Sequence, residues 1–224
     1  MSSPPRYVTL IDGGFVIRKL ESRLRRFPMA QDIASVAASI ASNECVAGLS
    51  RLRVYFYHAR PAAQVLVNPI SKEQISLGMT QVFANHARLL DELETTPDFA
   101  LRPGETDTTG WRVGDTAFRR ITRNPRPLRA GDLVPAITQK GVDLRIGLDI
   151  ARLALMHTVE AIVAVTGDSD LVPAFKFARR EGLRVFLCHL GHGVKRELPA
   201  HADRTMRIEL PTAPSTQRGL QEAA

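Results

Sequence analysis

The stretch "IVAVTGDSDLVPAFKFARREGLRVFLCHL", residues 162–190, runs an apolar segment straight into Gly167-Asp168-Ser169-Asp170. Two carboxylates one residue apart, at a strand end and a helix mouth, have two uses. They can cap the helix and favour its positive N-terminal dipole, or they can join other acids around a cation. A third carboxylate, Asp12, ends another apolar run, "RYVTLID". Asp12, Asp168 and Asp170, with a further acid from a helix over 142–157, would repel one another if all were ionised at close range. A hard divalent cation relieves that repulsion. Mg²⁺ and Mn²⁺ take oxygen ligands, keep several waters and suit phosphate-bearing substrates. Such ions activate water and stabilise the leaving oxygen of a phosphodiester.

The elements that must position these acids follow from periodicity. Strands are expected over 6–14, 51–59, 98–105, 161–167, 183–190 and 205–210, and helices over 30–50, 79–95, 142–157 and 171–182. Residues 104–139 are rich in Arg, Thr, Pro and Gly without a clean period, and are expected as a loop or β-hairpin insertion. Alternating helices and buried-type strands predict an α/β fold, a Rossmann-like, mainly parallel sheet with helices on both faces. Such sheets place their sites beyond the carboxyl ends of the strands. One domain over 1–210 is expected, followed by a disordered Ser/Thr/Gln-rich tail over 211–224.

Composition narrows the partners. The 224 residues carry a net charge of +7, which favours a polyanion. No apolar run is long enough to span a bilayer, and the N-terminus lacks the pattern of a secretory signal. Cys45 and Cys188 belong to no CxxC and are expected as reduced thiols in a cytoplasmic protein. There is no P-loop and no GxSxG elbow. His189 and His192 stand alone at a strand end, too few ligands for zinc.

Two basic stretches stand out. "RKLESRLRRF" holds Arg18, Lys19, Arg23, Arg25 and Arg26, and follows the Asp12 turn directly. "FRRITRNPRPLR" holds Arg119, Arg120, Arg123, Arg126 and Arg129, with Trp111 and Phe118 nearby. Arginine pairs phosphates bidentately, and aromatic rings stack on single-stranded bases. A solvated charged surface is the competing reading of both. Lys140, just before the acidic helix, is a phosphate contact or an exposed loop lysine.

Together, "YVTLIDGGF", "QKGVDLRIGLDIARLA", "IVAVTGDSDLVPAFKFARREGLRVFLCHL" and "LPAHADRTMRI" resemble the NYN domain, of the LabA/DUF88 group of PIN-like nucleases. The resemblance implies a compact PIN-like sheet, an acidic pocket and cleavage of RNA that depends on Mg²⁺ or Mn²⁺. It implies Asp12, Asp143, Asp149, Asp168 and Asp170 as metal ligands, with Asp12, Asp149, Asp168 and Asp170 also catalytic. Thr166 and Ser169 support them, and Arg18, Lys19, Arg119, Arg120, Arg123 and Lys140 are the RNA-binding candidates. Asp143 and Asp149 lie about 120° apart on a helix, so both cannot point the same way. If Asp143 is the N-cap, its side chain bends back to the backbone, which ranks Asp149 slightly above it. Many relatives have Asn in an "IDGxN" pattern where this chain has Phe15. That departure favours an alternative, a weak or inactive RNA-binding or regulatory module. A phosphatase acting on small phosphoesters fits the acids but leaves the arginines unused. The expected partner is single-stranded RNA, with no membrane; a homodimer is compatible with this reading and not required by it.

Overall fold

The computed structural model describes residues 4–212. In chain order its elements are β1 (Arg6–Asp12), α1 (Gly13–Leu24), α2 (Ala30–Ala41), β2 (Ser50–Tyr57), β3 (Val65–Val67), β4 (Gln74–Ser76), α3 (Gln81–Glu94) and β5 (Phe99–Arg102). There follow β6 (Glu105–Val113), α4 (Asp115–Arg123), β7 (Leu133–Lys140), α5 (Val142–Met156), β8 (Ala161–Val165), α6 (Val172–Arg180), β9 (Arg184–Cys188), α7 (Glu197–Ala200) and β10 (Arg204–Thr205).

Six strands form one parallel sheet in the order β10-β9-β8-β1-β2-β5. Period-2 alternation splits its side chains between two cores. Tyr7, Ile11, Val163, Val165 and Phe56 face α1, α2 and α3, whereas Val8, Leu10, Ile162 and Ala164 face α5 and α6. The expected α/β fold, a Rossmann-like and PIN-like parallel sheet covered on both faces, is what forms. The chain builds outward from β1 to β2 and β5, then returns to β8 on the other side of β1. The strand order therefore reverses between β1 and β8, and a crevice opens beyond their carboxyl ends.

Several elements differ from expectation. The basic stretch after Asp12 is a helix, α1. Val16, Leu20 and Leu24 recur every fourth residue and are buried, while Arg18 and Arg23 point to solvent. Helix α2 stops at Ala41, because Asn43 caps a separate 3₁₀ turn over Glu44–Val46 by accepting from the Cys45 N–H at 3.0 Å. The last strand covers only Arg204–Thr205, since Ile208 and Leu210 turn down onto the core beside α1. Residues 105–140 form an antiparallel hairpin, β6–β7, that carries α4 between its strands. β3 and β4 form a second small hairpin. Of the tail expected to be disordered, residues 213–224 lie outside the described residues.

Two arginine clamps share one spacing. Arg26 grips Asp32 with both nitrogens at 2.7 and 2.9 Å, and Arg126 grips Asp132 at 2.7 Å twice. Each Asp also accepts from the backbone N–H three residues before it, at Met29 and Arg129. Arg126 and that N–H hold the Asp132 carboxyl down at about 2. Both arginines are therefore committed to turn geometry.

Helix α1 starts hard against the sheet. A Cβ at Gly13 would lie 2.7 Å from the Tyr57 carbonyl oxygen and 2.8 Å from the Phe56 ring. Gly13→Ala should therefore destabilise the chain by roughly 1–3 kcal/mol through overpacking. Thermal unfolding should show a melting point several degrees lower; an unchanged value would mean that α1 can shift without cost.

Candidate functional site

β1 and β8 run in register, Ile11 opposite Val165, so Asp12 and Thr166 emerge side by side. The Asp12 Oδ1 accepts from the Phe15 N–H at 3.0 Å and caps α1. Thr166 donates from Oγ1 to the Asp12 Oδ2 at a long 3.4 Å, and its Oγ1 accepts from the Asp168 N–H at 3.1 Å. The Asp168 Oδ1 accepts in turn from the Asp170 N–H at 2.9 Å, capping the 3₁₀ turn Ser169–Leu171 that feeds α6. Capping and clustering are thus not alternatives here, because one oxygen of each carboxylate does the capping.

Helix α5 brings the fourth acid. Its N-cap is Gly141, held at φ +73°, so Asp143 is a first-turn residue with an exposed side chain rather than the cap. Partial desolvation beside the sheet edge pushes the Asp143 carboxyl up, and the negative charges of Asp168 and Asp170 push it further. Burial also raises Asp12. The Phe15 N–H and Arg18 pull it back, while Asp143 and Asp168 raise it again. Asp12 thus feels the charges of Asp143 and Asp168, Asp143 feels those of Asp168 and Asp170, and Thr166 links Asp12 to the Asp168 backbone.

Asp149 is a correction. Both of its oxygens are taken: Arg102 donates to them at 2.8 and 2.6 Å, and the Tyr57 hydroxyl donates at 2.8 Å. It is a partly buried structural ion pair between α5 and the ends of β2 and β5.

The acids offer only oxygen donors, and two of them hold their protons unusually well. That chemistry fits a hard cation bound through one or two carboxylates and several waters. Among the described residues, no three His, Cys, Asp or Glu side chains lie close enough together to hold an ion by themselves.

The basic candidates divide. Arg18 sits beside the site, with one nitrogen 3.5 Å from where a Gly14 Cβ would stand, as is the Asp12 Oδ1. Lys19 Nζ lies 2.9 Å from His192 Nδ1 and 5.9 Å from the Phe15 ring centroid. Arg119, Arg120 and Arg123 are exposed along α4. Lys140 is exposed and pairs across the hairpin with Asp107. His58, His86 and Gln139 form a cluster that sequence reasoning missed, and no local motif marks it.

The six-stranded parallel sheet covered by helices is consistent with a PIN-like fold. The family model of the NYN domain, a family of the PIN-like nuclease superfamily, matches residues 110–209. The match contains Asp143, Asp168 and Asp170 and implies a nuclease-like function directed at RNA. Family members of this kind are generally hydrolases that use divalent metals. A crystal structure of a protein of unknown function from Vibrio parahaemolyticus superposes with a TM-score of 0.50 at 15% identity, covering 93% of this chain and 97% of that one. It supports the fold. No curated protein matches the chain. Among the described residues no helix is long and apolar enough to cross a membrane.

The acids predict opposite stability effects. A carboxyl whose folded pKa is raised destabilises the ionised folded chain at neutral pH, and the cost fades as pH falls through the folded value. Asp143→Asn should therefore melt higher than wild type at pH 7 without metal, with the gap closing as pH falls to about 4. Asp149→Asn should melt lower at neutral pH, by roughly 1.5–3 kcal/mol, because Arg102 and Tyr57 lose a charged acceptor. Melting curves across pH for both variants check the pair; matching behaviour would undo the separation of the two acids.

Proposed function

We propose that the chain is a Mg²⁺- or Mn²⁺-dependent ribonuclease whose acidic site is Asp12, Asp143, Asp168 and Asp170. The observation that supports the reading is the like-charge influence among these carboxylates at the carboxyl ends of β1 and β8 and the start of α5, three of them inside the NYN match. Asp12 and Asp168, each fixed by a backbone N–H, would hold the cation, with Asp170 beside them. When bound, the cation supplies Lewis-acid polarisation of the scissile phosphate and an activated water. Asp143, exposed and with raised proton affinity, takes a proton from the attacking water as general base. Arg18 balances part of the negative charge and meets the phosphate on the strand's approach. The exposed arginines of α4 draw the RNA backbone along the hairpin toward the site. The buried, free Cys188, its thiol pushed up to about 11, supports a reducing, cytoplasmic setting.

One observation favours the second reading, an RNA-binding module that cleaves slowly or not at all. It is the lack, among the described residues, of three ligands near enough to hold an ion unaided. A single assay separates the readings: short RNA against a chromogenic phosphomonoester, each with and without EDTA. The ribonuclease should cut only RNA and stop with EDTA. Asp168→Asn should abolish cutting with its melting point preserved, since Asn caps about as well as Asp. Full RNase activity in that variant would sink the catalytic assignment.

RNA binding has its own readout. Replacing Arg119, Arg120 and Arg123 together by Ala should weaken binding to all sequences alike. The slope of log affinity against log salt should fall by about 0.7 for each arginine–phosphate pairing removed. Unchanged affinity and slope would return α4 to solvated surface. Arg126 is left in place because it holds Asp132.

A further inference from the structure

Beyond the end of β2, His58 is buried, only 4% exposed, with its ring stacked on His86 at 5.1 Å between centroids and 9° between planes. His58 Nε2 lies 3.0 Å from His86 Nδ1, and the Gln139 amide nitrogen lies 3.2 Å from the same His58 atom. These three groups line one side of a cavity of about 370 Å³. Its other walls are apolar, with Ile75, Val82, Phe83 and Ile137 among them. A second cavity of about 350 Å³ shares His58, Val82, His86 and Gln139, and reaches Gly14 and Arg18 at its other end. The two cavities adjoin across His58, Val82, His86 and Gln139, and the second one extends to Gly14 and Arg18 on α1, the helix that Asp12 caps.

The chemistry of the recess selects its occupant. Its volume is that of a small-ligand site. Burial, His86 and Arg18 bring His58 down to about 4, so the ring is neutral near pH 7. Burial lowers His86 too. A neutral imidazole and an amide present donor and acceptor edges, not a charge. A phosphate has no cation to meet in the recess. The bonds among His58, His86 and Gln139 occupy the facing atoms of that trio, and the His86 Nε2 edge is what they leave for a polar guest. A flat, uncharged ring with polar edges satisfies both walls, by stacking and by hydrogen bonds. The recess opens beside the base of the β6–β7 hairpin, whose far end carries the arginines of α4, and Arg18 stands between it and Asp12.

We propose that this recess is a nucleobase pocket: it receives one unpaired base of the RNA strand, so that the phosphate presented to the acid cluster belongs next to an unstacked nucleotide. The proposal rests on the ribonuclease reading for its strand and on the recess itself for its base. The pocket makes the enzyme selective for single-stranded or bulged RNA.

The test fills the pocket from its rim. Val82 and Ile137 are 67% and 45% exposed, so Val82→Trp and Ile137→Trp add bulk without disturbing the core. Melting points confirm that both variants fold. Wild-type protein is titrated with adenosine, guanosine, cytidine and uridine by NMR, reading the ring protons of His58 and His86. At least one nucleoside should shift those protons, and both filled variants should lose the shift. RNA binding is then measured by anisotropy in EDTA, with a single abasic nucleotide moved along the oligomer. One register should weaken wild-type binding about tenfold and leave the filled variants unaffected. The pocket is overturned if no nucleoside binds, or if the filled variants bind it as well as wild type. Nucleoside binding without any RNA cleavage would sink the ribonuclease reading and keep the pocket. Cleavage insensitive to both filling and abasic sites would do the reverse.

Discussion

Like-charge crowding at the switch point is the constraint around which this molecule is arranged. Asp12 and Asp143 both hold their protons above the ordinary carboxylate range, through desolvation and through the acids beside them. A chain that only had to be stable would not gather them. The parallel sheet makes the gathering geometrically simple. β1 and β8 end side by side, and their following helices leave on opposite faces, α1 with one core and α6 with the other. The crevice between those helix starts receives backbone N–H groups from both sides. Phe15 and Asp170 supply the donors that keep Asp12 and Asp168 in place despite the repulsion.

Elsewhere the fold treats its acids differently. Asp32, Asp132 and Asp149 are each gripped by two arginine nitrogens, and Asp107 and Asp203 pair with Lys140 and Arg179. Among the described residues, Asp12, Asp143, Asp168 and Asp170 enter no such ion pair. Arg18 offsets only part of their charge. Paired acids stabilise turns and inter-element contacts, while crowded and underpaired ones are candidates for function. The same contrast sorts the arginines. Arg26 and Arg126 are structural, and the outward residues of α4 are available to a polyanion.

Much of this was legible in the sequence, for local reasons. Strands buried on both faces read as apolar runs, and Asp12 and "GDSD" stood at their carboxyl ends. What escaped had long-range causes. The choice between Asp143 and Asp149 turned on Arg102, 47 residues from Asp149 in the chain. Helical spacing does set the two acids in different surroundings, one exposed and one buried, but depth along the helix decided the matter. Asp149 lies about 9 Å further from the helix start. Helix α1 was hidden by its own ends. Gly13-Gly14 reads as a turn and the arginines read as surface, yet the stripe of Val16, Leu20 and Leu24 was present. The recess around His58 draws on the end of β2, α3 and both hairpins, and no local pattern encodes that convergence.

Phe15 shows how a missing side chain is compensated. An amide at this position would orient the first Asp, but here the Phe15 main chain already does so at 3.0 Å. The aromatic ring takes a different task. It meets His192 edge-on at 5.7 Å and abuts Gly167, where a Cβ would lie 2.9 Å from the ring. Phe15 therefore sets the distance between α1 and the "GDSD" turn, and it requires glycine at 167. The orientation of Asp12 has moved to the backbone and to Thr166. Arg18 and Lys19 stand about one turn further along the same helix, as its cations nearest this turn. The substitution trades a neutral donor for aromatic packing, and it leaves the acids in their crowded arrangement.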